Sequence, residues 1–163
     1  AVYASDVRVP LRMINSAFHR NEAGSGAAID GVSLRSVDAV RCMFSRNRAV
    51  HEGGAISLHS TDYFWMFRCT LVRNNAGSGG ALSIQTVTQS LLRVSDFIRN
   101  TALSGGGIYA SETIMLLIRC GITKNSAESN GGGLFLVAAD QEQKFFTMAA
   151  TFTDNTARLG GQP

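Results

Sequence analysis

Six asparagines recur at nearly constant intervals along this 163-residue chain, and a large apolar residue stands three positions before each of them. The asparagines are Asn21, Asn47, Asn74, Asn100, Asn125 and Asn155, separated by 26, 27, 26, 25 and 30 residues. Self-similarity at a period of about 20 to 50 residues is typical of solenoid proteins. This repeat therefore limits the possible folds more strongly than any other feature of the sequence.

A glycine turn follows each asparagine. An alanine stands two positions after every one of the six, and a glycine cluster with an aliphatic residue comes next, as in Gly53-Gly54-Ala55-Ile56. The residues after the turn alternate between apolar and polar, as in Ile56-Ser57-Leu58, which is the pattern of a β-strand. Each repeat thus predicts short strands joined by tight turns, and no segment shows a convincing helical period.

A repeat of this size cannot bury its apolar face alone, whereas stacked coils pair their strands with the coils above and below. The sequence therefore predicts an all-β, single-stranded parallel β-helix of about six coils. Stacked asparagine amides can hydrogen-bond along the axis, and the glycines permit positive φ at a corner. Two irregularities are expected: a local bulge at Arg93, and a projecting turn within residues 138–144 that accounts for the last, longer interval.

Composition supports one domain. Hydrophobic residues make up 45% of the chain and charged residues 17%, which excludes a disordered tail, and no apolar run is long enough for a membrane helix. The net charge of +3 does not by itself imply nucleic acid as a partner. We therefore interpret residues 1–163 as a single β-helix domain without a membrane span. Because a sixth glycine turn starts at Gly160 without its strand, we interpret the chain as a segment of a longer solenoid or a docked subunit.

The interleaved motifs resemble the repeats of the chlamydial polymorphic membrane proteins, which are autotransporter passenger domains. Phe-x-x-Asn begins at Phe18, Phe44, Phe97 and Phe152, and Gly-Gly-Ala-aliphatic begins at Gly53 and Gly79. The resemblance covers the chain from Phe18 onward. It implies a right-handed, pectin-lyase-like parallel β-helix that is secreted or displayed on a cell surface and is adhesive. It also implies that the motif residues build the fold and perform no chemistry.

Basic residues form the main candidate for binding. The residue before each of the first five asparagines is basic: Arg20, Arg46, Arg73, Arg99 and Lys124. A second basic set recurs at one repeat position and comprises Arg41, Arg68 and Arg119. Arginine suits sulfate, phosphate or carboxylate ligands, which would relieve repulsion within the columns. Alternatively, the long arginine stems extend into solvent, cover apolar surface and keep the edge soluble.

Aromatic residues offer a second candidate. Phe18, Phe44, Phe97 and Phe152 share the inward position and predict an internal stack with Leu71 and Ile122. Tyr109 and Phe135 stand between inward aliphatic residues on neighbouring coils, so we expect both rings to point outward, side by side. Such a pair is plausible as a contact for protein or sugar, although surface aromatics without any function have the same pattern.

Catalytic and metal sites find little support. Cys42, Cys69 and Cys120 share one repeat position with Ser16 and Ser95, which predicts small buried thiols and no disulfide. The histidines occupy unrelated repeat positions and form no ligand motif, so no metal or other cofactor is expected. The acidic residues do not cluster in register, as a polysaccharide lyase or hydrolase would need.

We therefore predict a non-catalytic, extracellular or cell-surface module that binds a protein or an anionic glycan receptor. The first alternative is a structural spacer or subunit of a larger extracellular assembly, joined through the open ends of the β-helix. A polysaccharide lyase or hydrolase is a second alternative.

Overall fold

The computed structural model describes residues 1–138 and 144–158, which form 24 short strands and no helix. Six coils follow one another along the chain, and each coil contributes four strands. In the third coil these are β9 (Ile56–His59), β10 (Tyr63–Phe67), β11 (Thr70–Val72) and β12 (Asn75–Ser78). All pairings between coils are parallel, so the predicted β-solenoid of about six coils is confirmed.

Equivalent strands of the six coils form four sheets, which we call A to D in the order the chain meets them. Sheet A contains β1 (Val2–Ser5), β5 (Ile29–Val32), β9, β13 (Leu82–Gln85), β17 (Ile108–Ser111) and β21 (Leu134–Val137). Sheet B contains β2 (Leu11–Ile14), β6 (Ser36–Val40), β10, β14 (Gln89–Arg93), β18 (Ile114–Ile118) and β22 (Lys144–Met148).

The two remaining sheets have shorter strands. Sheet C contains β3 (Ala17–His19), β7 (Met43–Ser45), β11, β15 (Asp96–Ile98), β19 (Gly121–Thr123) and β23 (Thr151–Thr153). Sheet D contains β4 (Glu22–Ala23), β8 (Arg48–Ala49), β12, β16 (Thr101–Ser104), β20 (Ser126–Asn130) and β24 (Thr156–Ala157). The cross-section is thus four-sided, which the repeat length alone did not predict.

A residue with positive φ stands at the corners of the coils. Glycine occupies the corner from sheet D to sheet A, as at Gly105, where φ is 65°. A Cβ there would lie 2.5 Å from the carbonyl oxygen of Ile108, so only glycine fits. The other three corners use non-glycine residues in the left-handed region, and these residues are exposed. The prediction of positive φ at the glycine turn is confirmed, and three further left-handed corners in each of the first five coils are new.

The core runs along the axis between the sheets. Phe44, Leu71, Phe97 and Ile122 are completely buried in the predicted internal stack. Phe18 is half-buried, and its ring lies parallel to that of Phe44 with centroids 5.0 Å apart. Phe152, in the last coil, is in register with Ile122 and so continues the predicted column, but it is 47% exposed. It has a paired coil on one side only among the described residues.

The asparagines form a continuous ladder beside this core. The side-chain oxygen of Asn74 accepts from the backbone N–H and the Nδ2 of Asn47, both at 3.0 Å. Its Nδ2 donates to the Phe44 carbonyl and to Oδ1 of Asn100, both at 3.0 Å. The same pattern joins all six predicted positions, namely Asn21, Asn47, Asn74, Asn100, Asn125 and Asn155.

Two irregularities expected from the sequence have different outcomes. The bulge at Arg93 is wrong, because Arg93 pairs in unbroken register with Phe67 on one side and Ile118 on the other. This repeat position faces outward, where arginine needs no accommodation. The projecting turn of residues 138–144 lies almost wholly outside the described residues, as does the glycine turn at Gly160.

Candidate functional site

The corner from sheet C to sheet D carries a column of basic side chains, which we call the corner column. Its members are Arg20, Arg46, Arg73, Arg99 and Lys124, and all five are exposed. Each adopts a left-handed backbone, with φ between 53° and 55°. The asparagine that follows each one turns inward and anchors the ladder, so the basic side chain is directed to solvent. The ladder and the corner column therefore have the same axial spacing, about 4.8 Å per coil.

A second basic column lies at the corner from sheet B to sheet C. Arg41, Arg68 and Arg119 are exposed there with φ of 52°, 52° and 50°. The fourth coil has Val94 at this position, so the column is interrupted. The two columns are five positions apart along each coil, which corresponds to roughly 15 Å of extended chain. The outer face of sheet C lies between them.

A shallow depression of about 420 Å³ lies on the outer face of sheet C beside the corner column. Arg46, Arg73 and Arg99 line one side of it, and Met43 and Val72 contribute apolar surface. His19 lies at the same depression and forms a 2.8 Å hydrogen bond with the Ser45 hydroxyl. The three guanidinium groups can therefore reach one ligand that rests on a partly apolar floor.

The outer face of sheet D forms a larger groove on the other side of the corner column. It has a volume of about 1180 Å³ and is lined by side chains that include Arg48, Asn75, Thr101 and Glu128. Nδ2 of Asn75 donates to the Thr101 hydroxyl at 2.8 Å, which holds both polar side chains in the groove wall. The sequence analysis missed this groove because small alanines and polar residues show no distinctive pattern.

Within residues 1–138 and 144–158 no carboxylate lies within ion-pair distance of the corner column, although Asp154 occupies the equivalent corner in the sixth coil. The ion pairs found there are Arg12 with Asp38 at 3.0 Å and His59 with Glu52 at 3.5 Å, and neither involves a basic column. Like charges at the coil spacing repel by roughly 0.9 kcal/mol per neighbouring pair in water. The corner column is therefore a surface where an anion would relieve repulsion.

Arg68, in the second column, covers apolar surface. Its guanidinium carbon lies 5.1 Å from the centre of the Phe67 ring, and that of Arg93 lies 5.8 Å from the same ring. Such cation–π contacts stabilise a side chain by about 0.5 to 1 kcal/mol at exposed sites. The sequence analysis gave an alternative in which arginine stems cover apolar surface. The contact between Arg68 and Phe67 supports that alternative at this position.

The two aromatic candidates lie next to each other, as their repeat position requires. Tyr109 pairs with Phe135 across sheet A, and their ring centroids are 5.8 Å apart with a tilt of 57°. Both side chains are only half-buried. The pair lies on the outer face of sheet A, far along the coil from the basic columns, so the two groups of candidates do not form one site.

Sequence reasoning missed a charged cluster on the same outer face. Asp30 lies near His59 and Glu52, and burial raises the pKa of its carboxyl above the ordinary value, with a further upward contribution from the Glu52 charge. The electrostatic interaction with His59 lowers the pKa of this carboxyl. These residues occupy different repeat positions, so only the folded chain brings them together. Within the described part of the chain, no three His, Cys, Asp or Glu side chains are grouped closely enough to hold a metal ion.

The three cysteines are buried and free, which confirms the prediction of unpaired thiols. Cys69 Sγ accepts from the Cys42 backbone N–H at 3.4 Å, and the Ser95 hydroxyl accepts from the Cys69 N–H at 3.1 Å. The Cys69 thiol and the Ser95 hydroxyl therefore each accept a hydrogen bond from the backbone N–H of the preceding coil. Burial raises the pKa of Cys69 to about 11, so the thiol stays protonated and unreactive at neutral pH.

Compared with known proteins, the chain matches no family model, no curated protein and no solved structure. The resemblance to the chlamydial repeats therefore stays a prediction. Across residues 1–138 and 144–158, no helix has the length and apolarity to cross a membrane.

Proposed function

We propose that this protein is a non-catalytic binding module whose corner column holds an extended anionic glycan parallel to the solenoid axis. One observation carries the proposal: Arg20, Arg46, Arg73, Arg99 and Lys124 project from five successive coils as an exposed row of cations. A linear polymer with acidic groups repeated along its length can contact several coils at once. Multiple simultaneous contacts raise the overall affinity well above that of one ion pair.

The surroundings of the corner column favour a glycan over a compact anion. A depression with an apolar floor lies on one side, and a polar groove lined by Asn75 and Thr101 lies on the other. Sugar rings present both apolar faces and hydroxyl groups, and these two surfaces can receive them. Arginine also pairs with sulfate or carboxylate through two parallel hydrogen bonds.

Binding to immobilised heparin, polygalacturonate and neutral dextran would test the proposal. We expect retention on the two acidic polymers, weakening as salt increases, and no retention on dextran. Replacing Arg46 and Arg73 together by alanine should weaken binding at least tenfold. The matched control replaces Arg8 and Arg35, which lose the same charge on the distant corner from sheet A to sheet B. Equal losses in both variants would reduce the effect to net charge and contradict the proposal.

We further propose that the protein is secreted or displayed on a cell surface. We also propose that its repeats are of the polymorphic membrane protein type. A right-handed, pectin-lyase-like winding is part of the same proposal. It is supported by the strong preference for right-handed crossovers between parallel strands in one sheet. A protein receptor with an acidic surface is the alternative ligand, and the heparin and polygalacturonate experiment distinguishes the two.

A structural subunit that assembles through the ends of the solenoid is a second candidate. Among the described residues, β1 to β4 and β21 to β24 each pair with a neighbouring coil on one side only. Strands with free edges can extend a sheet across a subunit boundary. Association that persists after Arg46 and Arg73 are replaced, together with no retention on acidic polymers, would favour this function.

A further inference from the structure

Asn130 differs from the other asparagines of the chain in the residue that follows it. It is the last residue of β20, its side chain is exposed, and Gly131 comes next. No other Asn-Gly pair occurs in the sequence. Because glycine has no Cβ, its backbone nitrogen is the least hindered in approaching the side-chain carbonyl of the preceding residue. Asn130 therefore has the sequence context in which an asparagine side chain closes a ring on the main chain.

The fold itself imposes the glycine. Gly131 forms the corner from sheet D to sheet A in the fifth coil with φ of 59°, and a Cβ there would collide with the carbonyl oxygen of Leu134. In the other coils, the residue before this corner glycine has no side-chain amide: Ser25, Glu52, Ser78 and Ser104. Only the fifth of these corners thus joins a required glycine to an asparagine.

The asparagines of the ladder are protected from the same reaction. Asn100 is completely buried, and its Nδ2 donates to Oδ1 of Asn125 and to the Leu71 carbonyl. The nitrogen that would attack it belongs to Thr101, and this N–H donates to the Asn74 carbonyl at 3.0 Å. Both the amide and the attacking nitrogen are therefore held in other contacts.

Asn75 gives an exposed comparison outside the ladder. Its Nδ2 donates to the Thr101 hydroxyl at 2.8 Å, and the residue that follows it is Ala76. The methyl group of Ala76 hinders the attacking nitrogen, which Gly131 does not. Asn75 and Asn130 thus share exposure and differ in the feature that controls ring closure.

The surroundings of Asn130 leave the main chain room to rotate toward its side chain. The pairing of β16 with β20 shifts register between Ala102 and Ser104, so Asn130 directly follows an irregular stretch of sheet D. Such irregularities disrupt the ladder of hydrogen bonds locally. Nδ2 of Asn130 donates to the Ser129 hydroxyl at 2.9 Å. A hydroxyl both accepts and donates, so Ser129 can return a proton to this nitrogen as it leaves.

We propose that Asn130 is a site of spontaneous modification that becomes isoaspartate through a cyclic imide with Gly131. The Gly131 nitrogen gives its proton to solvent and bonds to Cγ of Asn130. The bond from Cγ to Nδ2 then breaks, and ammonia leaves with the proton of the Ser129 hydroxyl, which solvent replaces. Water next adds to the main-chain carbonyl of the imide and breaks its bond to nitrogen. One water is consumed and one ammonia is released, with no oxidation or reduction.

The product changes the corner between the fourth and fifth coils. Isoaspartate directs the main chain through the former side chain, which adds one methylene group and leaves a free carboxylate. The Asn130 carbonyl accepts from the Gly105 N–H at 2.8 Å, and the Gly131 carbonyl accepts from the Gly106 N–H at 3.0 Å. The longer main chain displaces both acceptors. The proposal does not depend on glycan binding, because the corner column lies at a different corner and no polyanion takes part.

Peptide mass spectrometry of the folded protein, incubated at neutral and mildly alkaline pH, tests the modification. Cleavage after Glu128 places Asn125 and Asn130 in different peptides. We expect the peptide that contains Asn130 to gain one dalton, faster at the higher pH, with isoaspartate as the main product. Conversion should be at least tenfold faster than at Asn75. Equal rates at Asn130 and Asn75, or a product without isoaspartate, overturns the proposal.

Variants of Ser129 test the assisting hydroxyl. Ser129→Ala should slow conversion several-fold, whereas Ser129→Thr keeps the hydroxyl and should keep the rate. Equal rates in the two variants overturn the role of Ser129. Asn130→Ser places at this corner the residue that the third and fourth coils have, so it should fold as the wild type and gain no mass.

The melting temperature tests the effect on the corner. Asn130→Asp is the matched control, because it has the charge of the modified protein and an ordinary main chain. We expect the purified isoaspartate form to melt below Asn130→Asp. Identical melting temperatures would show that the extra methylene leaves the pairing of the two coils intact, which overturns this part of the proposal.

Discussion

The side-chain nitrogen of Asn74 donates to the side-chain oxygen of Asn100 over 3.0 Å, and the backbone N–H of Asn74 donates to the same oxygen over 2.9 Å. One amide oxygen thus accepts two donors from the preceding coil. Asn74 is completely buried, and both of its Nδ2 hydrogens and both lone pairs of its oxygen are used. No other side chain of this size offers two donors and an uncharged acceptor in one plane.

Asn74→Ala is expected to destabilise the protein by about 3 kcal/mol or more. The substitution leaves two donors of Asn47 without acceptors inside the core and removes one donor to the Phe44 carbonyl, and each buried orphan costs about 1 to 3 kcal/mol. The matched control is Asn21→Ala at the half-buried start of the ladder, which should cost less than about 1 kcal/mol. Urea unfolding measures both changes. Equal losses at the two positions would contradict a cooperative ladder.

Gly105→Ala is expected to destabilise the protein by at least about 2 kcal/mol. The new Cβ would lie 2.5 Å from the Ile108 carbonyl oxygen, and an alanine in the left-handed region is itself unfavourable. Gly24→Ala serves as the control, since the nearest heavy atom to its Cβ would be 4.0 Å away and its φ is not positive. Thermal unfolding of the two variants compares them. If Gly105→Ala has the same melting temperature as the wild type, the corner does not require glycine.

Because the Cys69 thiol is buried, we expect the native protein to lose stability at alkaline pH. Burial raises the pKa of its thiol from 9.0 to about 11, so between these values the unfolded chain has lost a proton that the native chain keeps. The unfolded state then binds fewer protons, and native stability falls with rising pH by about 1.4 kcal/mol per unit, or roughly 2 to 3 kcal/mol in total. Below about pH 8 the thiol contributes no pH dependence.

The comparison of wild type with Cys69→Ser isolates this effect, because serine can keep the hydrogen bonds of Cys69, as Ser95 does in the next coil. The free energy of unfolding of the wild type should fall relative to that of the variant as the pH rises from 8 to about 10.5. If the free energy of unfolding has the same pH dependence in both proteins, Cys69 does not titrate as expected.

Arg73→Asn is expected to separate folding from binding. Arg73 has φ of 55°, a region that asparagine tolerates better than arginine. Native stability should therefore stay unchanged or rise by up to about 1 kcal/mol. Affinity for heparin should fall by about tenfold, since a charge-assisted contact is lost. Chemical unfolding and heparin chromatography measure the two effects, and a variant that loses stability and affinity together would contradict the assignment of Arg73 to binding.

Much of the fold could be predicted from the sequence because stacking converts a repeat into a column. Equal spacing of Asn47 and Asn74 places them at the same point of successive coils whatever the shape of the coil. The same holds for the glycine corner at Gly105, for the exposed row from Arg20 to Lys124, and for the free cysteines. These features depend on the repeat period and on the chemistry of one residue type. Both the period and the residue types can be determined from the sequence.

The shape of the coil was decided only in three dimensions. Left-handed corners at residues such as Arg68 and Arg73 bend each of the first five coils four times, and arginine gives no local signal that its backbone turns there. Position within the stack also matters, since Phe44 is buried and Phe152 is exposed although both follow the same motif. The cluster of Asp30, Glu52 and His59 arises between residues at different repeat positions. Periodicity predicts what lies above and below a residue, whereas lateral neighbours are set by where the coil turns.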